Sequence, residues 1–267
     1  MPSTDALAPP VRPLPEGQQE EVTRLCADTS VLLMQHGAES ALVESLTRRL
    51  GLALGADRVE AGVFANSIVL TTLSGSRDVT VVRRSEDRGI SMHWVTEVQR
   101  AVLAVEAGEL DAAAYRARLD AVVPLRYPRW LVALAIGLSC ACFARLAGAD
   151  WTGCGLVVVA SGVAQFLRMR IARLHFNPVV NFFVTAFVAT SIADLGRVWS
   201  LGRTPQIAVA SSVLLLVPGF PLINGVSDLV KGYMSTGIAR LTYALLLLVA
   251  ASAGVVLSMT LFDRLLP

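Results

Sequence analysis

Apolar residues recur at helix or strand spacing through the first 128 residues, and beyond Pro128 they run together. Val22, Leu25, Cys26, Thr29, Leu32 and Leu33 share one stripe and predict a helix over 18–37, closed by Gly37. Leu42, Val43, Leu46, Leu50 and Leu54 predict a second helix from Ser40 to Leu54, with Gly55 as its stop. Runs rich in Val, Ile and Thr at 58–65, 66–73 and 78–84 read as strands, with Gly75 in the last turn. Two further helices fit 92–107 and 111–123, parted by Gly108. Such an order predicts a small α+β domain around a three-stranded antiparallel meander.

The second half reads differently. Five apolar stretches, about 130–148, 151–167, 177–195, 205–222 and 239–262, approach the roughly 20 residues that cross a hydrocarbon core. Lipid offers no partners to open strands, so the spans must be helices. The expected fold class is therefore a membrane α-helical protein: a small cytoplasmic α+β domain followed by a five-helix transmembrane bundle. Its expected divisions are a disordered Pro-rich tail at 1–17, the α+β domain at 18–126 and the transmembrane domain at 127–267. The tail has no apolar core of a signal peptide, which keeps the domain in the cytoplasm.

Composition supports this split. Hydrophobic residues make up 54% of the 267 and charged residues 16%, against about 25% charged in soluble domains. Of the 44 charged residues, 30 precede Arg129. A net charge of +2 gives no case for nucleic acid, and four scattered cysteines suggest neither a disulfide framework nor a metal site. With the domain inside, seven basic residues flank the spans there (Arg126, Arg129, Arg168, Arg170, Arg173, Lys231 and Arg240), against four outside. This bias agrees with a cytoplasmic N-terminal domain and places the C-terminus outside.

Candidate chemistry concentrates in two places. Two prolines and two glycines fall within Pro218–Gly225, where a broken helix would expose backbone groups of the kind transporters use for substrates and ions. Pro218, Gly219 and Pro221 make that break; Asn224 and Asp228 follow on one helical face. Asp228 reads either as a cation or proton site or as a partner of Lys231 or Arg240. On the third span, Asn177, Asn181 and Thr185 form a polar stripe at four-residue steps, a pathway lining or a set of interhelical bonds. Arg168, Arg173 and His175 belong to an inner basic loop that could gather an anion, or simply set topology. Asp194 could carry a proton or pair with Arg197. His36-Gly37-Ala38-Glu39-Ser40 reads as a helix-to-helix turn with a capping serine. No motif for ATP hydrolysis, nucleophilic catalysis or metal binding is present, so no enzyme activity and no cofactor are expected.

Four stretches together resemble the threonine/serine exporter family. They are His36-Gly-Ala-Glu-Ser40 through Glu44; Gly108-Glu-Leu on to Tyr127-Pro-Arg-Trp130; His175-Phe-Asn-Pro through Thr185; and Pro218-Gly-Phe-Pro-Leu-Ile-Asn224 through Asp228 and Gly232 to Gly237-Ile-Ala-Arg240. The resemblance covers about 20–262 and implies export of small metabolites, with threonine and serine as the namesake substrates. It extends to the larger subunit of split members, some linked to succinate-like dicarboxylates. Long members carry a second set of helices that this chain lacks. The implied partner is a small bacterial inner-membrane subunit of about four or five helices, beside the substrate and the bilayer, with self-association left open. The alternative is a membrane-anchored regulatory or assembly module whose soluble domain binds a ligand.

Overall fold

A computed structural model describes residues 13–265 except Asp87, Arg126 and His175. The chain falls into two compact units. One comprises the residues up to Leu125 together with Phe220–Leu241, and the other comprises Arg126–Gly219 with the residues from Thr242 onward.

The first unit contains helices α1 (Glu16–Gln35), α2 (Ser40–Ala53), α3 (Met92–Glu106) and α4 (Ala112–Asp120). Its strands are β1 (Arg58–Val63), β2 (Ser67–Ser74) and β3 (Arg77–Arg84). The strands pair antiparallel in the order β1-β2-β3, with Val63 opposite Ile68 and Ser67 opposite Arg84. In central strand β2 alternate residues Ile68, Leu70, Thr72 and Ser74 are buried against the helices, as a half-covered sheet requires. The core gathers Val22, Leu25, Leu33, Leu46, Leu50, Val98, Val102 and Tyr115. Buried hydroxyls are paired: Thr23 with Thr72 at 2.6 Å, Ser30 with Thr47 at 2.6 Å and Thr29 with Tyr115 at 2.7 Å. Each removes a desolvation cost that an orphan would carry.

One boundary needs correction. The predicted tail ended at residue 17, yet α1 starts at Glu16 and Leu14 is buried, its backbone N–H bonded to Ser74 Oγ at 2.8 Å. A single apolar anchor among prolines has no periodicity to reveal it. Residues 1–12 lie outside the described residues.

The second unit holds α5 (Arg129–Leu146), α6 (Trp151–Arg173), α7 (Pro178–Val198) and α8 (Pro205–Ser212), followed by a 3-10 turn at Leu214–Leu216. Small side chains allow close helix contact. A Cβ on Gly137 of α5 would stand 2.7 Å from the Val158 carbonyl of α6.

Helices α9 (Gly219–Val230) and α10 (Met234–Leu265) complete the chain. Among the described residues four helices, α5, α6, α7 and α10, are individually long and apolar enough to cross a membrane; the broken run from α8 to α9 makes a fifth if counted as one span. The predicted span 205–222 is thus interrupted at Val217-Pro218, where proline has no amide hydrogen to continue a helix. The predicted division at 126/127 also changes. Residues Phe220–Leu241, expected in the transmembrane domain, pack with the N-terminal unit. Residues 234–241 of α10 belong to the first unit and its later residues to the second.

Candidate functional site

The α1–α2 turn needs a left-handed residue, and Gly37 supplies it at φ +83°. Helix α2 then begins at Ser40, whose backbone N–H is one of the donors every helix leaves unpaired at its start. A residue 188 positions away fills that role. Ser40 N donates to Asp228 Oδ1 and Ser40 Oγ to Asp228 Oδ2, both at 3.0 Å. The carboxylate also meets the positive end of the α2 dipole. Arg240 Nη1 donates to Asp228 Oδ2 at 2.8 Å, and its Nη2 reaches the Ala38 carbonyl at 2.8 Å. Asp228 is fully buried.

Around this centre the same turn is held at further points. Asn224 Nδ2 donates to the Gly37 carbonyl at 2.8 Å and Ser227 Oγ to Glu39 Oε1 at 2.8 Å. Lys231 pairs with Glu39, Tyr233 donates to Glu44, and Thr236 Oγ1 reaches the Val63 carbonyl at 3.2 Å. Asn224, Ser227, Asp228 and Lys231 follow helical steps of three and four and form one stripe. Beside that stripe, Ile223, Val226 and Val230 of α9 are exposed. Polar inside and apolar outside is the pattern a lipid-facing helix adopts.

The Lys231 ammonium beside Glu39, helped by Ser227, holds the Glu39 carboxyl below its usual range against partial burial. Burial, reinforced by Glu44, pushes the Tyr233 phenol up to about 12. A depressed carboxyl stabilises the fold above its unfolded value, and that contribution disappears as pH falls through the folded value. Lys231 is 47% exposed, so the pair contributes about 0.5–1 kcal/mol. In thermal melts of wild type and Glu39→Gln, the gap should be constant above about pH 5 and close below about pH 4. A gap that widens on acidification would contradict the assignment.

The other predicted residues lie in the second unit. Asn177 caps α7 by accepting from Val179 N at 2.9 Å. Asn181 is buried; its Nδ2 donates to the Arg168 carbonyl at 3.2 Å, and its Oδ1 accepts from Thr185 Oγ1 at 3.1 Å. Arg168 stands with its guanidinium 4.6 Å from the Phe182 ring centre and donates to the Leu215 carbonyl at 3.3 Å. The third-span stripe therefore ties α7 to the end of α6, with Arg168 part-buried among it. Arg173 is exposed at the end of α6, and His175 lies outside the described residues. Pro218 is buried, and no atom beyond its own neighbourhood lies within 4 Å of a Cβ built on Gly219. Pro221 occupies the first turn of α9, where the missing amide hydrogen costs no bond. Asn224 and Asp228 thus belong to one unit, and Asn177, Asn181 and Thr185 to the other. Among the described residues no group of three or more His, Cys, Asp or Glu could hold a metal ion.

Sequence reasoning missed the partners of Asp228 in the α1–α2 turn, the Arg240–Ala38 bond and the Tyr233–Glu44 pair. Only the shared face of Asn224 and Asp228 signalled them.

Comparison with known proteins adds to this geometry. A family model described as "Putative threonine/serine exporter" matches residues 24–262. The chain is 50% identical over 246 residues to the "Probable succinate transporter subunit YjjP" of Escherichia coli, covering 92% of this chain and 96% of that one. It is 49% identical to the protein of the same description from Klebsiella aerogenes, over the same shares. It is 25% identical to the "Probable threonine/serine exporter" of Mycobacterium tuberculosis, covering 85% of this chain and 44% of that one. No solved structure matches. A match across nearly the whole chain, on five apolar segments and the α1–α2 turn alike, leaves one conclusion: this chain belongs to the threonine/serine exporter family and is a multi-pass membrane protein.

Proposed function

We propose that this chain is the larger subunit of a secondary, proton-coupled exporter of succinate-like dicarboxylates, working with a small inner-membrane subunit. The observation that carries the reading is the end-to-end similarity to a protein described as a succinate transporter subunit, at half identity. The exporter from Mycobacterium is matched over less than half its length. The description of the Escherichia coli relative as a subunit supports a two-component form.

The chemistry of the second unit is compatible with an anion. Arg168 uses one guanidinium N–H on Leu215 and stacks on Phe182, so further donors of its five remain for a carboxylate. Arg170 and Arg173 add positive charge at the same helix end. Asn177, Asn181 and Thr185 would supply hydrogen bonds nearby. In this reading the N-terminal unit is cytoplasmic and the C-terminus is outside, as the basic residues favour. Asn224 and Asp228 serve the transport cycle by fixing the broken helix and the start of α10 to the cytoplasmic unit.

Inverted membrane vesicles from cells making this chain with its partner test the proposal. An imposed proton gradient should drive accumulation of labelled succinate, without competition from excess threonine or serine. Threonine accumulation without succinate would reverse the substrate assignment. Flux of neither, with ligand binding retained by the protein, would favour the regulatory-module reading.

A further inference from the structure

Asp194 sits in the second-last turn of α7 with no exposure, surrounded by small and apolar residues. Ala193 packs with Ala160 of α6 and Val209 of α8, and Gly196 meets Leu156 of α6. A carboxyl in such a place is costly and calls for a full set of partners. It does not have one. Ser258 Oγ of α10 is 3.5 Å from Asp194 Oδ2, at the limit of a hydrogen bond, and that serine also shares a 2.9 Å bond with Ser191. Asp194 Oδ1 has no hydrogen-bond partner among the described residues, and neither does the buried hydroxyl of Thr190, one helical turn away on the same face.

Arg197 is the cation at hand, yet it belongs mainly to another residue. Its Nη2 is hydrogen-bonded to Asp263 of α10, whereas its Nε stands 3.5 Å from Asp194 Oδ1 without hydrogen-bond geometry. Among the described residues these are the charged groups that face Asp194; α6 and α8 present apolar side chains. One guanidinium therefore faces two carboxylates. The cluster is one proton short of neutrality, and the two carboxyls are not equivalent: Asp263 is 61% exposed, near the end of α10, while Asp194 is 0% exposed. The missing proton belongs on the buried one.

We propose that Asp194 is a proton-binding site inside the membrane unit, taking a proton on one carboxylate oxygen while Arg197 stays with Asp263. Loss of that proton draws Arg197 between the two carboxylates, a rearrangement that changes how α7 and α10 are held together. A guanidinium 3.5 Å away repels a metal cation, so the ligand is a proton rather than sodium. For the coupling step this inference rests on the exporter reading; the protonation itself does not.

Two measurements test it separately. The first is infrared difference spectroscopy of the purified protein in liposomes during a pH jump. The stretching band of a protonated carboxyl should be present in wild type, absent in Asp194→Asn and retained in Asp194→Glu. Persistence of the whole band in Asp194→Asn overturns the proposal, whether or not any substrate is moved. The second compares gradient-driven succinate flux with succinate counterflow at equal pH on both sides. Asp194→Asn should lose the driven flux and keep counterflow at wild-type membrane abundance. Loss of both together would mark Asp194 as a structural ion-pair member and overturn the coupling role. A wild type that moves no succinate would sink the exporter reading and leave the infrared result to decide the proton site.

Discussion

Asp228→Ala should lower the stability of the first unit by about 3–5 kcal/mol, because it leaves a largely buried guanidinium and a helix N-terminus without their anion. The wild-type carboxylate serves Ser40 N, Ser40 Oγ and Arg240 Nη1 at once, at 3.0, 3.0 and 2.8 Å. Asparagine offers a single carbonyl oxygen in its place, and its amide meets groups that are themselves donors. Asp228→Asn should therefore cost about 2 kcal/mol. Ser40→Ala removes only the hydroxyl bond and should cost about 1 kcal/mol. Hydrogen exchange should show lost protection at the first turn of α2 in both Asp228 variants, and thermal melts should order the three as Ala, Asn and then Ser40→Ala. Equal melting temperatures for Asp228→Ala and Ser40→Ala would show that the carboxylate does not hold the turn.

Gly254→Val should be the most damaging single change within the second unit. A Cβ there would stand 2.4 Å from the Phe183 carbonyl and 3.0 Å from the Phe187 amide. Both are backbone of α7, so no side chain can swing aside and the helices must separate. Overpacking of this kind costs about 1–3 kcal/mol in soluble cores. Helix pairs in lipid rely on close packing for association, which puts this variant at the upper end. The loss is also local to the proton site, since Ser258 lies one helical turn further along α10. Gly155→Ala is the matched control. No atom other than its own neighbourhood lies within 4 Å of the added methyl, and alanine favours helix by about 0.8–1 kcal/mol. Detergent-solubilised thermal stability should fall sharply for the first and hold or rise for the second. A Gly254→Val protein as stable as Gly155→Ala would contradict the close approach of α7 and α10.

The elements before Leu125 were legible because their periodicity is strong. Expected strands at 58–65, 66–73 and 78–84 stand against observed strands Arg58–Val63, Ser67–Ser74 and Arg77–Arg84. Every helix of that domain was anticipated within a few residues. The α1 boundary was not, because Leu14 is one apolar residue among prolines. The break at Pro218 was visible from proline and glycine chemistry. What α9 binds was invisible, since nothing in a single sequence links Asp228 to Ser40. Arg240 was one of two partners the sequence offered Asp228 and is the one it takes, whereas its second bond, to the Ala38 carbonyl, had no signal. The Asp194–Arg197 pair was readable from its three-residue step. Asp263, which holds the same arginine from another helix, was not, and it changes Asp194 from a satisfied partner into an acceptor.

The first unit is discontinuous, and this gives its assembly a clock. About 115 residues separate Leu125 from Arg240, which at roughly 5–20 residues per second is some 6–23 s of synthesis. Throughout that interval Ser40 N–H and the Gly37 and Ala38 carbonyls wait for Asp228, Asn224 and Arg240. The hydrophobic helices α5–α8 emerge from the ribosome first. The first unit can therefore be completed only after α5–α8 have been synthesised, which makes its last contacts late events in the making of the chain.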